Sequence, residues 1–304
     1  MHSGISMSAL AGSIQAFLDE AINVRRLSVN TAQAYENDLR HFCAVLENRG
    51  TNEPLTVAMV RDGLTSIARD PRLSPPTVKR RIAAVRAFLR AIDRDLADAT
   101  FSNWSIPIQV PRRLPRALSA GDLDALLATN QMQYGCDIAT THLCLVLLTV
   151  TGLRVSELCA LTLADVRHQT GELLVHGKGA RERIVIVTND VVQRAIGNHI
   201  RRLPEPDNPD APLFLNRRGR RLSPQCLRLR LHDLAHKSGL SRKITPHMFR
   251  HTAATLLIEA GVDIRLVQRL LGHASIATTQ IYTHVTDVAL RNALQRADVI
   301  QAYV

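Results

Sequence analysis

The first third of the chain alternates apolar and polar positions with the 3.6-residue period of amphipathic helices. Two apolar stripes stand out, and candidate N-caps between Ser28 and Thr31 separate them. The first stripe is Ile14, Phe17, Leu18, Ala21 and Ile22, and the second is Tyr35, Leu39, Phe42, Val45 and Leu46. This pattern predicts helices from about Ser8 to Arg94. Ser74 and Pro75 end one of them and open the next.

The helix that starts near Val78 has one apolar and one basic face. Its basic residues are Arg80, Arg81, Arg86 and Arg90. Such a face is suited to lie along a nucleic-acid backbone, but a solvated helix surface would have the same pattern. The sequence leaves these two interpretations open.

Periodicity is lost over residues 101–118, which are rich in proline and include Arg112, Arg113 and Arg116. This predicts an interdomain linker between a helical domain at 1–100 and a second domain at 119–304. In the second domain, Ser119 and Asp122 resemble a capping box. Two short β-rich runs, Leu173–His176 and Ile184–Val187, predict a hairpin, and helices return after Ser223. The expected fold is mainly α with a small antiparallel sheet.

Charge is the first indication of function. The 304 residues carry 38 Lys and Arg against 27 Asp and Glu, so the net charge is +11. Phosphate backbone is the commonest partner of such an excess. The chain lacks a signal peptide and a long apolar run, which predicts a cytoplasmic protein. Its five scattered cysteines predict reduced thiols and no zinc site.

Three motifs carry candidate chemistry, and the first is Thr151–Leu158. Gly152 can end the preceding apolar helix in a left-handed conformation, so that Arg154 opens a new one. Glu157 lies three residues further on and can hold the Arg154 guanidinium in one orientation. A salt bridge at a surface helix end is the alternative interpretation.

The second motif places Lys178 between two glycines in the hairpin loop. A lysine at a loop tip can deliver a proton because its pKa shifts readily, whereas arginine holds its proton too tightly. An exposed turn residue is the alternative.

The third motif lies between Thr245 and Val285. Thr245 and Pro246 suit a helix start, which sets His247 and Arg250 near an N-terminus that favours a phosphate. Gly272 ends the next helix before His273, and Tyr282 follows nine residues later. His251 is more consistent with a structural role.

These motifs resemble those of the tyrosine recombinase (phage integrase) family, most closely its compact Xer-like members. The resemblance covers nearly the whole chain and rests on "LSVNTAQAYENDLRHFCAVL", "TGLRVSELCAL", "GKGARERIVIV" and "TPHMFRHTAATLLIEAGVDIRLVQRLLGHASIATTQIYTHV". The last segment is highly specific to that family.

The resemblance implies a site-specific DNA recombinase that cleaves and rejoins strands through a covalent 3′-phosphotyrosine. It assigns Tyr282 as the nucleophile and Glu157 as a supporting acid, and it completes the catalytic set with Arg154, Lys178, His247, Arg250 and His273. It also implies a two-domain C-shaped clamp around specific duplex DNA, with contacts expected from Arg80, Arg81, Arg86, Arg112 and Arg113. Because these cations can stabilise the transition state, we expect neither a metal nor another cofactor.

A rough apolar stripe after the tyrosine predicts a C-terminal helix, formed by Val288, Leu290, Leu294, Ala297 and Ile300. The resemblance implies that this helix docks on a neighbouring protomer of a tetramer, with accessory proteins as possible partners; packing on its own domain is the alternative. A non-catalytic architectural protein and a type IB topoisomerase-like enzyme are the rival functions. Chromosome resolution and mobile-element integration also stay open.

Overall fold

The computed structural model describes residues 7–24, 26–47, 54–109, 117–128, 136–177 and 182–272, together with Gln295. The chain divides into two compact units, Met1–Arg113 and Leu114–Val304. No helix within the described ranges is long and apolar enough to cross a membrane.

The described part of the first unit is helical. Its helices are α1 (Met7–Asn23), α2 (Val29–Glu47), α3 (Val57–Arg69), α4 (Pro75–Ile92) and α5 (Arg94–Phe101). The apolar stripes predicted for α1 and α2 face inward: Phe17 and Phe42 are 4% and 0% exposed, and Phe17 meets Phe88 of α4 edge to face. The helical prediction is therefore confirmed over these residues.

Capping side chains explain where the helices of this unit begin. Ser74 accepts the N–H of Thr77 and Pro75 takes the first position of α4, as the sequence predicts. Asp93 accepts the N–H of Leu96 in the same way, and α5 starts there. Helix α5 was not predicted, because it begins at Arg94, where the predicted helical region ends.

Each end of the predicted linker packs against one of the two units. Trp104 and Ile108 pack against the core of the first unit. At the other end, Leu118 is buried in the second unit and its N–H donates to the Thr252 hydroxyl at 2.7 Å. Residues 110–116 lie outside the described part of the chain.

The second unit combines helices with a small sheet. Its described elements are α6 (Ala120–Ala128), α7 (Cys136–Thr151), α8 (Val155–Ala160), β1 (Val166–Arg167), β2 (Glu172–His176), β3 (Glu182–Ile186), α9 (Asp190–Ile200), α10 (Pro224–Lys237), α11 (Pro246–Glu259) and α12 (Ile264–Leu271). The predicted capping box is present at α6, where Ser119 and Asp122 each accept the other's backbone N–H. The expected mainly helical fold with a small sheet is confirmed.

Helix α7 is the centre of this unit and contacts α9, α10 and α11. Four of its apolar side chains are fully buried at Cys144, Leu145, Leu147 and Leu148. Because α7 is enclosed by other helices, its C-terminal end is held rigidly at the point where the first motif begins.

The sheet is antiparallel in the order β1-β2-β3. Leu173 pairs with Val185, and His176 pairs with Glu182 at the open end of the hairpin. The two predicted strands are confirmed, although β3 begins two residues earlier than predicted. Strand β1 was not predicted, because a two-residue strand is too short to give a periodic signal.

Candidate active site

The first motif forms a tight helix-to-helix junction. Gly152 adopts a left-handed φ of +61° after α7, and Arg154 is the N-cap of α8. Glu157 accepts the Arg154 backbone N–H at 2.8 Å and its Nη1 at 2.7 Å. The predicted pairing is therefore confirmed, and it fixes both the main chain and the side chain of the arginine. The Arg154 side chain remains 40% exposed.

Arg250 reaches the same region from α11, although it is about a hundred residues away in sequence. Its Nη1 donates to the Gly152 carbonyl at 2.8 Å and its Nη2 to the Leu271 carbonyl at 2.5 Å. Burial, reinforced by the positive charge of Arg154, lowers the pKa of Arg250 to about 10. It is still charged near neutral pH, and each bonded terminal nitrogen carries a second N–H that can reach a ligand.

The start of α11 is arranged as the sequence predicts, with one difference. Thr245 is the N-cap by position and Pro246 takes the first helical position, but the Thr245 side chain makes no capping hydrogen bond. His247 lies exposed in this first turn, whereas Arg250 on the next turn is 7% exposed. The first turn of α11 thus offers the His247 imidazole to solvent.

Three arginines from different elements meet at the C-terminal end of α12. Arg183 donates to the Leu270 carbonyl at 3.0 Å, Arg250 to that of Leu271 at 2.5 Å and Arg154 to that of Gly272 at 3.3 Å. These carbonyls have no partner within the helix and carry its negative partial charge, so they favour cations. Gly272, with a φ of +64°, ends the helix as predicted.

Arg183 is not among the residues that the sequence predicts for the site. On β3 it lies one position before the exposed Ile184 and two before the buried Val185, so it faces the core side of the strand. Its side chain is only 16% exposed and pairs with Glu157. The sequence did contain a signal for this residue, because a charged side chain two positions from an apolar one lies on the same face of a predicted strand.

Glu157 is the acidic centre of this arrangement. It is 7% exposed and accepts four hydrogen bonds from described residues, two from Arg154 and two from Arg183. Burial alone would raise its pKa, but the hydrogen bonds from Arg183 and Arg154 outweigh burial and lower it. Glu157 is therefore ionised at neutral pH and balances part of the positive charge.

The other members of the predicted catalytic set are Lys178, His273 and Tyr282, which lie outside the described residues. The five apolar residues of the predicted tail stripe also lie outside them; they are Val288, Leu290, Leu294, Ala297 and Ile300. Two members of the catalytic set adjoin described residues: His273 follows Gly272, and the Lys178 loop joins His176 to Glu182. His176 and Glu182 are paired across the hairpin, with His176 Nδ1 3.1 Å from Glu182 Oε1.

The arginines on the basic face of α4 differ in their surroundings. Arg86 is exposed and its guanidinium stacks 4.4 Å from the centroid of the Phe101 ring. Arg80 and Arg81 turn instead toward Asp38 of α2, whose carboxylate is 2% exposed. Arg80 remains 43% exposed while Arg81 is 15% exposed. The other predicted DNA contacts, Arg112 and Arg113, lie outside the described residues.

Metal-ligating and thiol groups give no second centre in the described ranges. There, no cluster of three or more His, Cys, Asp or Glu side chains could hold a metal ion. Cys43, Cys144, Cys159 and Cys226 are free thiols. Burial raises the pKa of Cys159 to about 12, which makes its thiolate scarce and the thiol inert.

A cluster of arginines held at helix ends, in a basic two-unit protein, is typical of enzymes that act on a phosphodiester. Comparison with known proteins identifies the type. Residues 116–288 match the phage integrase family, and residues 14–94 match the N-terminal SAM-like domain of phage integrases.

Two relatives and one solved structure illustrate the similarity. The chain is 36% identical over 300 residues to the tyrosine recombinase XerD of Mycobacterium tuberculosis strain H37Rv, with 94% of this chain and 96% of the relative covered. It is 34% identical to XerD of Listeria monocytogenes serotype 4b, covering 93% and 97%. The XerH recombinase bound to difH DNA before cleavage superposes with a TM-score of 0.66 at 25% identity, covering 93% and 83%.

The chain therefore belongs to the phage integrase family of tyrosine recombinases. It is a site-specific DNA recombinase, which cleaves and rejoins DNA strands through a covalent 3′-phosphotyrosine intermediate. The mainly helical fold with a small antiparallel sheet and the site-specific recombinase function expected from the sequence are thus confirmed.

Proposed function

We propose that Arg154, Lys178, His247, Arg250, His273 and Tyr282 form the catalytic set, with Tyr282 as the nucleophile. One observation carries this proposal: Arg154 and Arg250 come from distant segments and converge on the end of α12 directly before His273. Such convergence is what a single phosphate site requires, whereas a surface salt bridge would need only Arg154 and Glu157.

Transition-state stabilisation falls to the arginines in this proposal. Charge builds up on the nonbridging oxygens of the phosphate as Tyr282 attacks, and fixed cations stabilise that charge. The backbone carbonyls bound by Arg250 orient its guanidinium before DNA arrives, as Glu157 orients that of Arg154. His273 adds a further donor to the same phosphate.

Proton transfers fall to the remaining groups. Lys178 protonates the 5′-oxygen as it leaves, because a lysine releases its proton more readily than an arginine. His247, exposed beside Arg250 on α11, assists proton transfer to or from Tyr282. The phosphotyrosine keeps the energy of the broken phosphodiester, so a 5′-hydroxyl reverses the step and ATP is not needed. Since the cations above serve the phosphate, we expect the chemistry to proceed without a metal.

Both units contact specific duplex DNA in this proposal. The basic side chains expected to contact it are Arg80, Arg81, Arg86, Arg112 and Arg113. Of the three that the structure describes, Arg86 is the best placed, because its guanidinium lies over the Phe101 ring while its side chain stays exposed. We further propose a tetramer on paired sites, assembled through the helix after Tyr282, with accessory proteins setting direction. We expect the protein to act in the cytoplasm, where bacterial DNA lies.

A suicide-substrate assay tests the proposal. A core site is first selected by binding from a randomised duplex pool, then nicked so that cleavage traps the covalent adduct. In EDTA the wild type should form an SDS-resistant adduct at the 3′ side, and Tyr282→Phe should form none. Tyr303→Phe is the matched control and should react normally. An adduct formed by Tyr282→Phe, or one formed only after a divalent cation is added, would contradict the proposal.

A further inference from the structure

Arg183 connects three separate segments of the second unit through one guanidinium. Its Nη1 and Nη2 donate to the two carboxylate oxygens of Glu157 at 3.1 and 2.8 Å, and its Nε donates to the Leu270 carbonyl at 3.0 Å. The residue itself lies on β3, close to the start of that strand. All three kinds of guanidinium nitrogen are therefore used, so the side chain is fixed in one geometry.

Each connected segment carries, or directly adjoins, a proposed catalytic residue. Glu157 holds Arg154 through its backbone N–H and its Nη1. Leu270 lies in the last turn of α12, three residues before His273. Strand β3 forms one side of the hairpin whose loop includes Lys178.

The packing around Gly272 shows how closely this arrangement is fitted. A Cβ added to Gly272 would lie 3.3 Å from the Cζ, Nε and Nη1 atoms of Arg183, so the guanidinium packs directly against the end of α12. The left-handed φ of Gly272 already favours glycine, and this contact leaves little room for a side chain.

The electrostatic role of Arg183 follows from the charges that surround it. Glu157 is buried and receives two hydrogen bonds from each of its two arginines. If Arg183 were absent, Glu157 would lose half of these bonds in a buried setting, and the carboxylate would no longer be anchored when it orients Arg154. A lysine would keep the positive charge but not the planar fork that binds two oxygens at once.

We propose that Arg183 is a positioning residue for the cleavage step. It does not contact the phosphate but aligns Arg154, the Lys178 hairpin and the segment of His273 with one another. This inference rests on the proposed function, because it takes those residues as the catalytic set.

The test compares Arg183→Lys and Arg183→Gln with the wild type on the suicide substrate. A displacement of about 1 Å in catalytic groups can cost about 100-fold in rate, so single-turnover adduct formation should fall 10- to 100-fold. The dissociation constant for the uncleaved core site should stay within about threefold, because the proposal gives Arg183 no contact with DNA. Arg167→Lys is the matched control, since Arg167 lies on β1, is 75% exposed and bonds Glu172 at 3.3 Å.

A double-mutant cycle identifies the route of the effect. If Arg183 acts through Glu157, the combined Arg183→Lys and Glu157→Gln protein should be little slower than the slower single variant. Adduct formation within twofold of wild type in both Arg183 variants would overturn the inference. Equal losses in DNA affinity and cleavage, or fully additive effects, would also overturn it, as they would show a general structural role. An adduct in Tyr282→Phe would overturn the proposed function instead, so the two failures are distinguishable.

Discussion

His176 at the end of β2 donates a hydrogen bond from Nε2 to the Asp165 carboxylate, 3.0 Å away. The other ring nitrogen, Nδ1, lies 3.1 Å from Glu182 across the hairpin. Only the protonated imidazolium can donate from both nitrogens at once. The hydrogen bond and charge of Asp165 accordingly raise the pKa of His176.

This relationship predicts a pH-dependent stabilisation at the base of the Lys178 loop. The folded pKa of His176 is raised, so its contribution is fully present below the unfolded value near 6.5 and is lost as the pH rises through the folded pKa. His176→Gln should therefore reduce the free energy of unfolding at pH 5.5 by about 0.2–1 kcal/mol, the range for exposed pairs, and by less at pH 8.5.

Urea denaturation of wild type and variant at both pH values measures this difference. His232→Gln, an exposed histidine on α10, controls for the loss of an imidazole that lies outside this cluster. A destabilisation by His176→Gln that is the same at both pH values would show that the imidazolium form is not what stabilises the hairpin.

Gly152 gives a second prediction, because two separate constraints meet there. Its φ is +61°, and an added Cβ would lie 2.4 Å from Leu271 Cδ2. Gly152→Ala should thus push against the end of α12 and lower stability by about 2–5 kcal/mol, the sum of left-handed strain and overpacking. Cleavage should fall about 100-fold, because the Arg250 partners on both sides move.

Gly239 provides a matched control for this substitution. Its φ is +74°, and nothing lies within 4 Å of an added Cβ. Gly239→Ala should therefore cost only the backbone strain, about 1–2 kcal/mol, and leave cleavage unchanged. Thermal unfolding and single-turnover adduct formation of both variants measure the two effects. Equal behaviour of the two variants would show that the contact with Leu271 is unimportant.

Features set by local chemistry could be predicted from the sequence. Gly152 and Gly272 end helices, Ser119 caps α6, and the hairpin strands pair as expected, because each depends on residues close together in the chain. The pairing of Arg154 with Glu157 follows for the same reason, since three residues bring them to one side of a helix start.

Features set by long-range packing could not be predicted. Arg81 has the same local pattern as Arg86, yet one turns to Asp38 of α2 and the other stacks on Phe101. Arg183 finds its partner Glu157 across 26 positions of sequence. Such choices depend on which element lies opposite, and periodicity carries no information about that.

DNA contact by the α4 face gives a third prediction. Arg86 is exposed, and its guanidinium, which lies over the Phe101 ring, can reach a phosphate without first being ordered. Arg86→Ala should weaken binding to specific and random duplexes alike and reduce the slope of log K against log salt by about 1. Arg72→Ala is the control, since Arg72 is 84% exposed but bonded to Asp70 on the loop before α4. An unchanged slope for Arg86→Ala would remove this residue from the interface.

Truncation of the tail gives a fourth prediction. If the helix after Tyr282 docks on a neighbouring protomer, a chain that stops at Asp287 should bind one core site normally but lose cooperative assembly on paired sites. Sedimentation on single and paired sites separates the two effects. Assembly that persists in the truncated chain would favour packing of the helix on its own domain.

The buried carboxylate of Asp38 gives the last prediction, which concerns how the first unit is held together. Arg80 and Arg81 both pair with it, and Arg81 lies 3.4 Å from Oδ1 with little exposure. Burial outweighs these two arginines and raises the pKa of Asp38, so the charge itself is costly. Removing it alone should still be worse, because Arg81 would be left buried and unpaired. Asp38→Asn should therefore cost about 3–5 kcal/mol, and adding Arg81→Met should recover most of the loss.

Asp98→Asn is the matched control, since Asp98 is 58% exposed and pairs with Arg90 and Arg94 at 3.9 and 3.8 Å, and it should cost under about 1 kcal/mol. Urea denaturation measures all three proteins, and a double variant that is less stable than Asp38→Asn would show that Arg81 stabilises the unit through contacts other than Asp38.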